Sequence, residues 1–449
     1  MRLTSHLSEH WLGNSPVIRA LAGSLLILSL GLVLLTRLSD LLAPWMAGVP
    51  LWLAAILLAP AIKSAQKKQI GILLLAGMAG LIFAAWNGSD SRYLIKAVEG
   101  NQLVVSMLIG VSFLRLVALS NVAPFEQLPK GSQVLRKTLW GTHLFTSVLN
   151  ISAVLIVGDR LAHARKNQPL DRIQGLVLLR AFSTCAVWSP FFASMGVTLI
   201  SAPGSHLATL ILFGLPIAVA GLLISHWELG RHPEAELSEG YPMDWSSLWM
   251  PMVLAVLVIS AHLIWPNMTV LTLVTLTALL FSIGWLILTQ KKQAYPLLLN
   301  HVKESLPAMC SEIALFLGAA MLAAGVSASL DTLNLQLAPT HFGAPEACIT
   351  LAILIAAAIA GMHPVTSVVL AGSLLSPTGS DANLLGLTLL MGWSLGVGLS
   401  PLSGIQLTLQ ARLGVRARDL LRDNLSYGPL MFLLCCGTLF VYDLLSASS

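Results

Sequence analysis

The chain is a succession of unbroken apolar runs, and their length of about 20 residues is what most limits how it folds. A segment in contact with lipid has no water to satisfy its amides and carbonyls. It must pair them internally, as a helix or in a closed barrel. Barrel strands would alternate in polarity over about 10 residues, and these runs do not alternate. Composition agrees: 56% of the 449 residues are apolar and 10% charged, with mean hydropathy +0.81, whereas a soluble domain is about 25% charged. The sequence reads as an all-α polytopic membrane protein whose constant partner is the lipid bilayer. The net charge of +5 does not call for nucleic acid, because basic residues of membrane proteins gather in cytoplasmic loops. Cys185, Cys310, Cys348, Cys435 and Cys436 have no metal-ligand spacing and imply no disulfide framework. No metal is expected.

The first 19 residues are polar or amphipathic and precede a full-length apolar run, so no cleavable signal is expected. Spans are predicted near 20–38, 42–62, 69–87, 100–119, 205–226, 247–265, 268–290, 306–328 and 426–446. Four further segments are apolar but interrupted: 138–161 by THLFTSVLNIS, 173–201 by STCAVWSP, 346–376 by GMHPVTS, and 383–411 by GVGLSPLSG. The charged stretch 227–246 reads as a central cytoplasmic linker.

Charge tests this map. The basic clusters are KSAQKK (63–68), KGSQVLRK (130–137), RLAHARK (160–166), QKK (290–292) and RLGVRARDLLR (412–422). They fall on one face if 138–161 and 346–376 are re-entrant hairpins while 173–201 and 383–411 each cross once. The cation-poor connections 88–92, 201–206 and 377–383 then fall on the other. The positive-inside rule thus favours eleven spans plus two hairpins, with the N-terminus cytoplasmic and the C-terminus periplasmic.

The interrupted segments repeat. SAVLIVGDRL (152–161) matches TSVVLAGSLL (366–375), with Gly158 on Gly372, 214 positions on. Ser189-Pro190 matches Ser400-Pro401 at an offset of 211, which also sets Ser183 on Ser394 and Phe182 on Trp393. After the first helix (1–39), residues 40–226 and 247–449 read as two copies in opposite orientation. Inverted repeats with discontinuous helices are a secondary-transporter architecture, with the site where the copies meet.

Four polar patches are the candidate substrate or ion site: Ser147, Asn150 and Ser152 at the first tip; Ser183, Thr184 and Ser189 at the first break; His363, Thr366 and Ser367 at the second tip; Ser394, Ser400, Ser403 and Gly404 at the second break. Pro190, Pro364 and Pro401 are read as the helix breaks, since proline removes a donor and clashes with the preceding turn. A break frees amides and carbonyls. Half-helix N-termini suit an anion, and hydroxyls supply ligands for a cation or donors for a carboxylate. Each residue has a plainer reading too. Serine and threonine in membrane helices bond back to their own backbone or hold helices together. His363 either touches substrate or a coupling ion, or is a satisfied structural histidine. Arg180 either attracts an anion, is held by a helix partner, or snorkels to the edge. Glu312 starts a span, where it favours the helix dipole or carries a proton. Arg115 and Asp159 read as structural, and Trp188 and Trp393 as packing. No phosphate loop, HExxH, nucleophile elbow or catalytic carboxylate pair occurs.

On LNIS (149–152), HPVTS (363–367), WSP (188–190), SPLSG (400–404) and SEIALFLGA (311–319), the sequence resembles the ion transporter superfamily, specifically the divalent anion:sodium symporter (dicarboxylate transporter) type. The resemblance implies eleven spans, two re-entrant hairpins and two broken helices in an inverted repeat. It also implies elevator-like motion of a hairpin-bearing domain and a homodimer. The family's tips carry Ser-Asn-Thr. Here the first tip keeps Asn150 alone and the second has His363-Pro364.

The expectation is a non-enzymatic secondary active transporter of the bacterial inner membrane. It moves a small organic anion by alternating access, with Na⁺ or H⁺ as coupling ion and no other cofactor. The alternatives are a flippase or exporter of a lipid-linked or amphipathic anion, served by a cationic pocket at Arg180, and, less favoured, an intramembrane enzyme using His363 as a base.

Overall fold

The computed structural model describes residues 15–39, 42–62, 64–119, 128–165, 168–241, 249–335, 339, 341–376 and 381–447. The stretch before residue 15, residues 242–246 of the expected linker and residues 377–380 of the expected external connection lie outside these. Among the described residues, seven helices or helix runs are long and apolar enough to cross a membrane, and shorter apolar helices accompany them. Exposed large side chains such as Leu75, Leu212, Leu280 and Leu433 lie on these helices. Apolar surface on a spanning helix faces lipid, so this is an all-α polytopic membrane protein.

The chain divides into two compact units, one from Met1–Ser120 and Ala261–Leu337, the other from Asn121–Ser260 and Ala338–Ser449. The first contains α1 (Pro16–Leu38), α2 (Trp45–Leu58), α3 (Ser64–Trp86), α4 (Arg92–Glu99), α5 (Gln102–Ser112), α6 (Leu114–Leu119), α13 (Val270–Gln290), α14 (Ala294–Asn300) and α15 (Cys310–Thr332). Glycines bring α3 and α15 together. A side chain on Gly77, Gly80 or Gly325 would run into the opposite backbone. The expected span at 100–119 holds α5 and α6, and the candidate membrane span, Arg92–Ala118, also takes in α4 before them. Asn101 takes a left-handed φ of 60° between α4 and α5, a conformation asparagine tolerates, and its Nδ2 donates to the Phe316 carbonyl at 2.8 Å.

The second unit holds α7 (Ser132–Leu149), α8 (Ile151–Ala164), α9 (Arg172–Cys185), α10 (Ala193–Ser201), α11 (Leu207–Leu229), α16 (Ala344–Ile359), α17 (Pro364–Leu375), α18 (Ala382–Leu399), α19 (Gly404–Leu413) and α20 (Ala417–Ser446). Helix α12 (Trp249–Ile264) is divided by this partition, its residues up to Ser260 falling in the second unit and the rest in the first. Helices α7 and α8 pack against each other, as do α16 and α17. A short non-helical stretch separates α9 from α10, and another separates α18 from α19. Asp171 starts α9 with a capping box, its side chain taking the Gln174 amide while Gln174 returns a bond. Leu135 and Leu139 of α7 share a core with Ile173, Val177 and Ala181 of α9 and Leu222 of α11.

Three boundaries differ from the sequence reading. Helix α11 runs to Leu229, into the expected linker. Helix α20 begins at Ala417, not near 426, so RLGVRARDLLR is helical except at 414–416. Its 30 residues exceed the ~20 needed to span the hydrocarbon, which lets Arg418 and Arg422 project beyond it. Pro364, read as a break, stands instead at the first position of α17, where its fixed φ and absent amide are favourable. The turn before it is made by Gly361, with φ 104°, a conformation glycine adopts without a Cβ penalty.

Candidate functional site

Each hairpin tip in the second unit lies against the break of the broken helix that follows it. In the first half, three side chains tie the tip to the break. Asn150, at φ 53°, ends α7 and starts α8, and its Nδ2 donates to the Phe191 carbonyl at 2.9 Å. Ser189 Oγ donates to the Ser147 carbonyl. One turn further down α7, His143 reaches the break and the end of α9 that leads into it. Trp188 Nε1 donates to His143 Nε2 at 3.2 Å. That places the ring proton on Nδ1, which lies 2.9 Å from Thr184 Oγ1 and 3.2 Å from the Ala181 carbonyl. Thr184 Oγ1 in turn donates to the Arg180 carbonyl at 2.7 Å.

The second half is built differently. His363 caps α17, its Nδ1 accepting from the Val365 amide at 3.2 Å. The ring proton therefore sits on Nε2, which lies 3.8 Å from where a side chain on Gly404 would begin. A side chain on Gly361 would meet Leu402 at 3.0 Å, and one on Gly396 would meet Pro364 at 3.3 Å. Tip and break thus touch, yet no hydrogen bond joins residues 360–367 to 399–406. Thr366 Oγ1 and Ser400 Oγ are buried without a partner. Gln406 donates Nε2 to the Gly398 carbonyl at 3.0 Å, leaving its Oε1 buried and unpaired. Ser403 Oγ caps the Val397 carbonyl at 3.0 Å, and Ser367 Oγ bonds back to Pro364 at 3.1 Å.

The broken helices are also joined. Ser394 Oγ donates to the Ser183 carbonyl at 2.8 Å. Asn424 accepts from Arg180 Nε at 2.9 Å and donates to the Gly398 carbonyl at 2.9 Å. Arg180 is held by Glu228, Ser225 and the Asp423 carbonyl, and lies over the Tyr427 ring at 4.3 Å. Of its three sequence readings, this geometry fits the arginine held by helix partners. Its charge is compensated within the fold by Glu228.

Each return arm packs against the other half's broken helix. A side chain on Gly158 of α8 would meet Leu413 of α19, and one on Gly372 of α17 would meet Ser201 of α10. The Arg412–Asp159 pair, with contacts of 2.9 and 2.6 Å, closes the first of these contacts. Beyond it a crevice of about 830 Å³ opens at the far ends of α8 and α19, lined in part by Asp159, Arg160, His163, Tyr241 and Arg412. It does not include the tip or break residues. Ser152 stands half-buried in the first turn of α8, and Pro190 and Pro401, both half-buried, lie in the two breaks.

Sequence reasoning missed His143, Gln406 and Asn424. The signal for His143 was present: it is an ionisable side chain within an apolar run, the same signal that singled out His363.

No protein-family model matches the chain, and no curated protein matches it in sequence. Among solved structures, one that matches is the YdaH transporter of Alcanivorax borkumensis, described as having an unusual topology. It is 14% identical, the alignment covers 76% of this chain and 84% of that one, and the TM-score is 0.43. A likeness this distant assigns neither family nor function.

Proposed function

We propose that the protein is a secondary active transporter that moves a small organic anion across the bacterial inner membrane by alternating access, coupled to Na⁺ or H⁺. The observation that carries the reading is the second seam. There the N-termini of α17 and α19 come together at His363 and Gly404, beside two buried hydroxyls, Thr366 and Ser400, that lack partners. A buried polar group without a partner is costly, and two at one seam mark a place where a ligand supplies the missing bonds. Helix N-termini favour negative charge, and hydroxyl and Nε2–H donors suit a carboxylate. The unpaired Gln406 Oε1 is an acceptor suited to a cation or a proton-bearing group. The exchanged contacts of Gly158 with Leu413 and Gly372 with Ser201 support the inverted-repeat reading, since the two sets of partners correspond under it.

Uptake into proteoliposomes under imposed Na⁺ and pH gradients tests the proposal. Saturable flux of a dicarboxylate such as succinate is expected, with loss of that flux in a Thr366→Ala, Ser400→Ala, Ser403→Ala variant. Undiminished flux in the triple variant would remove this site. A thermal-shift screen of anions with and without Na⁺ identifies solute and ion together, because a ligand of the folded state raises its apparent stability.

A further inference from the structure

We propose that the two seams are not equivalent: the first is closed by the chain's own side chains, with His143 as its positioning residue, and only the second takes up ligand. The inference rests on the transport reading above and deepens it by assigning ligand binding to one half.

The argument is a comparison of matching positions. On the hairpin register of 214 and the break register of 211, Ser189 matches Ser400. Ser189 Oγ is bonded to the Ser147 carbonyl, whereas Ser400 Oγ has no partner. Asn150, whose amide bridges to Phe191, matches Pro364, which has no side-chain donor. His143 matches Ala357, and Trp188 matches Leu399, so the His143–Trp188 bond has no counterpart. The second half has lost each side-chain donor of the closure except the serine, and that serine is left unpaired.

The closure is arranged in order along the hairpin. Residues 143, 147 and 150 of the α7 side meet residues 188, 189 and 191 of the break. Hydrogen bonds at three successive levels leave the first seam few free donors or acceptors for a solute. Thr142 and Thr146 also carry unpartnered hydroxyls, but they continue the stripe of Leu135 and Leu139 at helical spacing. That stripe packs against α9 and α11, to one side of the line formed by His143, Ser147 and Asn150.

His143 is neutral in this arrangement. Its Nε2 accepts from Trp188 and its Nδ1 proton is taken by α9. Of the titratable groups on packed elements, Cys185 touches the ring. Arg180 and Glu228 are paired with each other, and His226 accepts from Trp140. On α8, Asp159 pairs with Arg412 and Arg160 lies over Tyr241, toward the end away from the tip.

Hydrogen–deuterium exchange read by mass spectrometry on the full chain in nanodiscs tests both parts. Without ligand, His143→Gln and Trp188→Phe are each expected to speed exchange in 146–152 and 186–192 by about fivefold, the effect of one net hydrogen bond on local opening, while 361–367 stays unchanged. Trp188→Phe removes the same bond without touching α7, so misfolding of one variant does not decide the outcome. If the first seam already exchanges as fast as the second and neither variant alters it, the closure is overturned. With succinate as probe, supplied with sodium or choline at mildly acidic and mildly alkaline pH, protection is expected in 361–367 and 399–406 alone. Equal protection of 146–152 would overturn the one-seam assignment. Protection at neither seam would count against the anion site itself, and the closure would then be judged on the variants.

Discussion

Ser394 and Ser183, which hold matching places in the two halves of the sequence, are bonded to each other: Ser394 Oγ donates to the Ser183 carbonyl at 2.8 Å across 211 residues. The bond ties α9 to α18 where the two helices pack together.

Ser394→Ala removes one buried hydrogen bond and is expected to cost about 1 kcal/mol. Ser394→Leu adds volume where α9 and α18 meet and is expected to cost about 1–3 kcal/mol and to abolish uptake. Chemical unfolding of the two variants beside the transport assay checks both. An Ala variant as damaged as the Leu variant would show that the hydroxyl, and not the close packing, sustains the crossing.

Arg180→Ala leaves Asn424 and Glu228 without their cation. Breaking a buried pair on one side costs about 3–5 kcal/mol, and the partial exposure of Glu228 places the expected loss at the low end. Arg180→Lys should recover little of it, because an ammonium cannot bond Asn424, Ser225 and Glu228 in the fork that guanidinium presents. Thermal unfolding in detergent measures the loss. If Arg180→Lys has wild-type stability and no uptake, Arg180 attracts the solute after all.

His363→Asn preserves an N-cap but removes the Nε2–H that faces Gly404. Folding stability is expected to hold within about 0.5 kcal/mol while uptake falls. If His363 carries the coupled proton, His363→Gln changes the pH dependence of uptake. An unchanged pH profile would leave His363 as a cap only.

Asp159→Asn weakens an exposed pair, since both side chains of Arg412–Asp159 are about half exposed. Such a pair contributes less than about 1 kcal/mol and is screened by salt. Gly158→Leu should be far worse, because the added side chain collides with Leu413. Unfolding midpoints at low and high salt separate the two: only Asp159→Asn should lose its effect as salt rises.

Much of this was legible in the sequence because backbone physics in lipid leaves few options. Run length marked the helices, and the polar interruptions at Asn150, Trp188-Ser189, His363 and Ser400 marked the places where helices stop. The misreadings have physical causes. A proline in an apolar run suggests a break; the interruption falls at 360–363, just before Pro364, which starts the next helix. The interruption of the Arg92–Ala118 span at Asn101 goes with its bond to Phe316, a partner distant in sequence. The partners of Arg180 and His143 are side chains on other helices, and periodicity does not report them. Whether a serine is paired, as Ser189 is, or unpaired, as Ser400 is, depends on the neighbour the fold brings to it.

The contact of Asp159 with Arg412 spans 253 residues of sequence, and Gly158 beside it meets Leu413. During synthesis the first hairpin enters the membrane long before α19, against which its return arm packs, has been made. For that interval α8 lacks its neighbour, and closure of a contact so distant in sequence is slow. The bonds that hold the first tip to its own break use residues between 143 and 191, all made early. They give the waiting hairpin a local anchor.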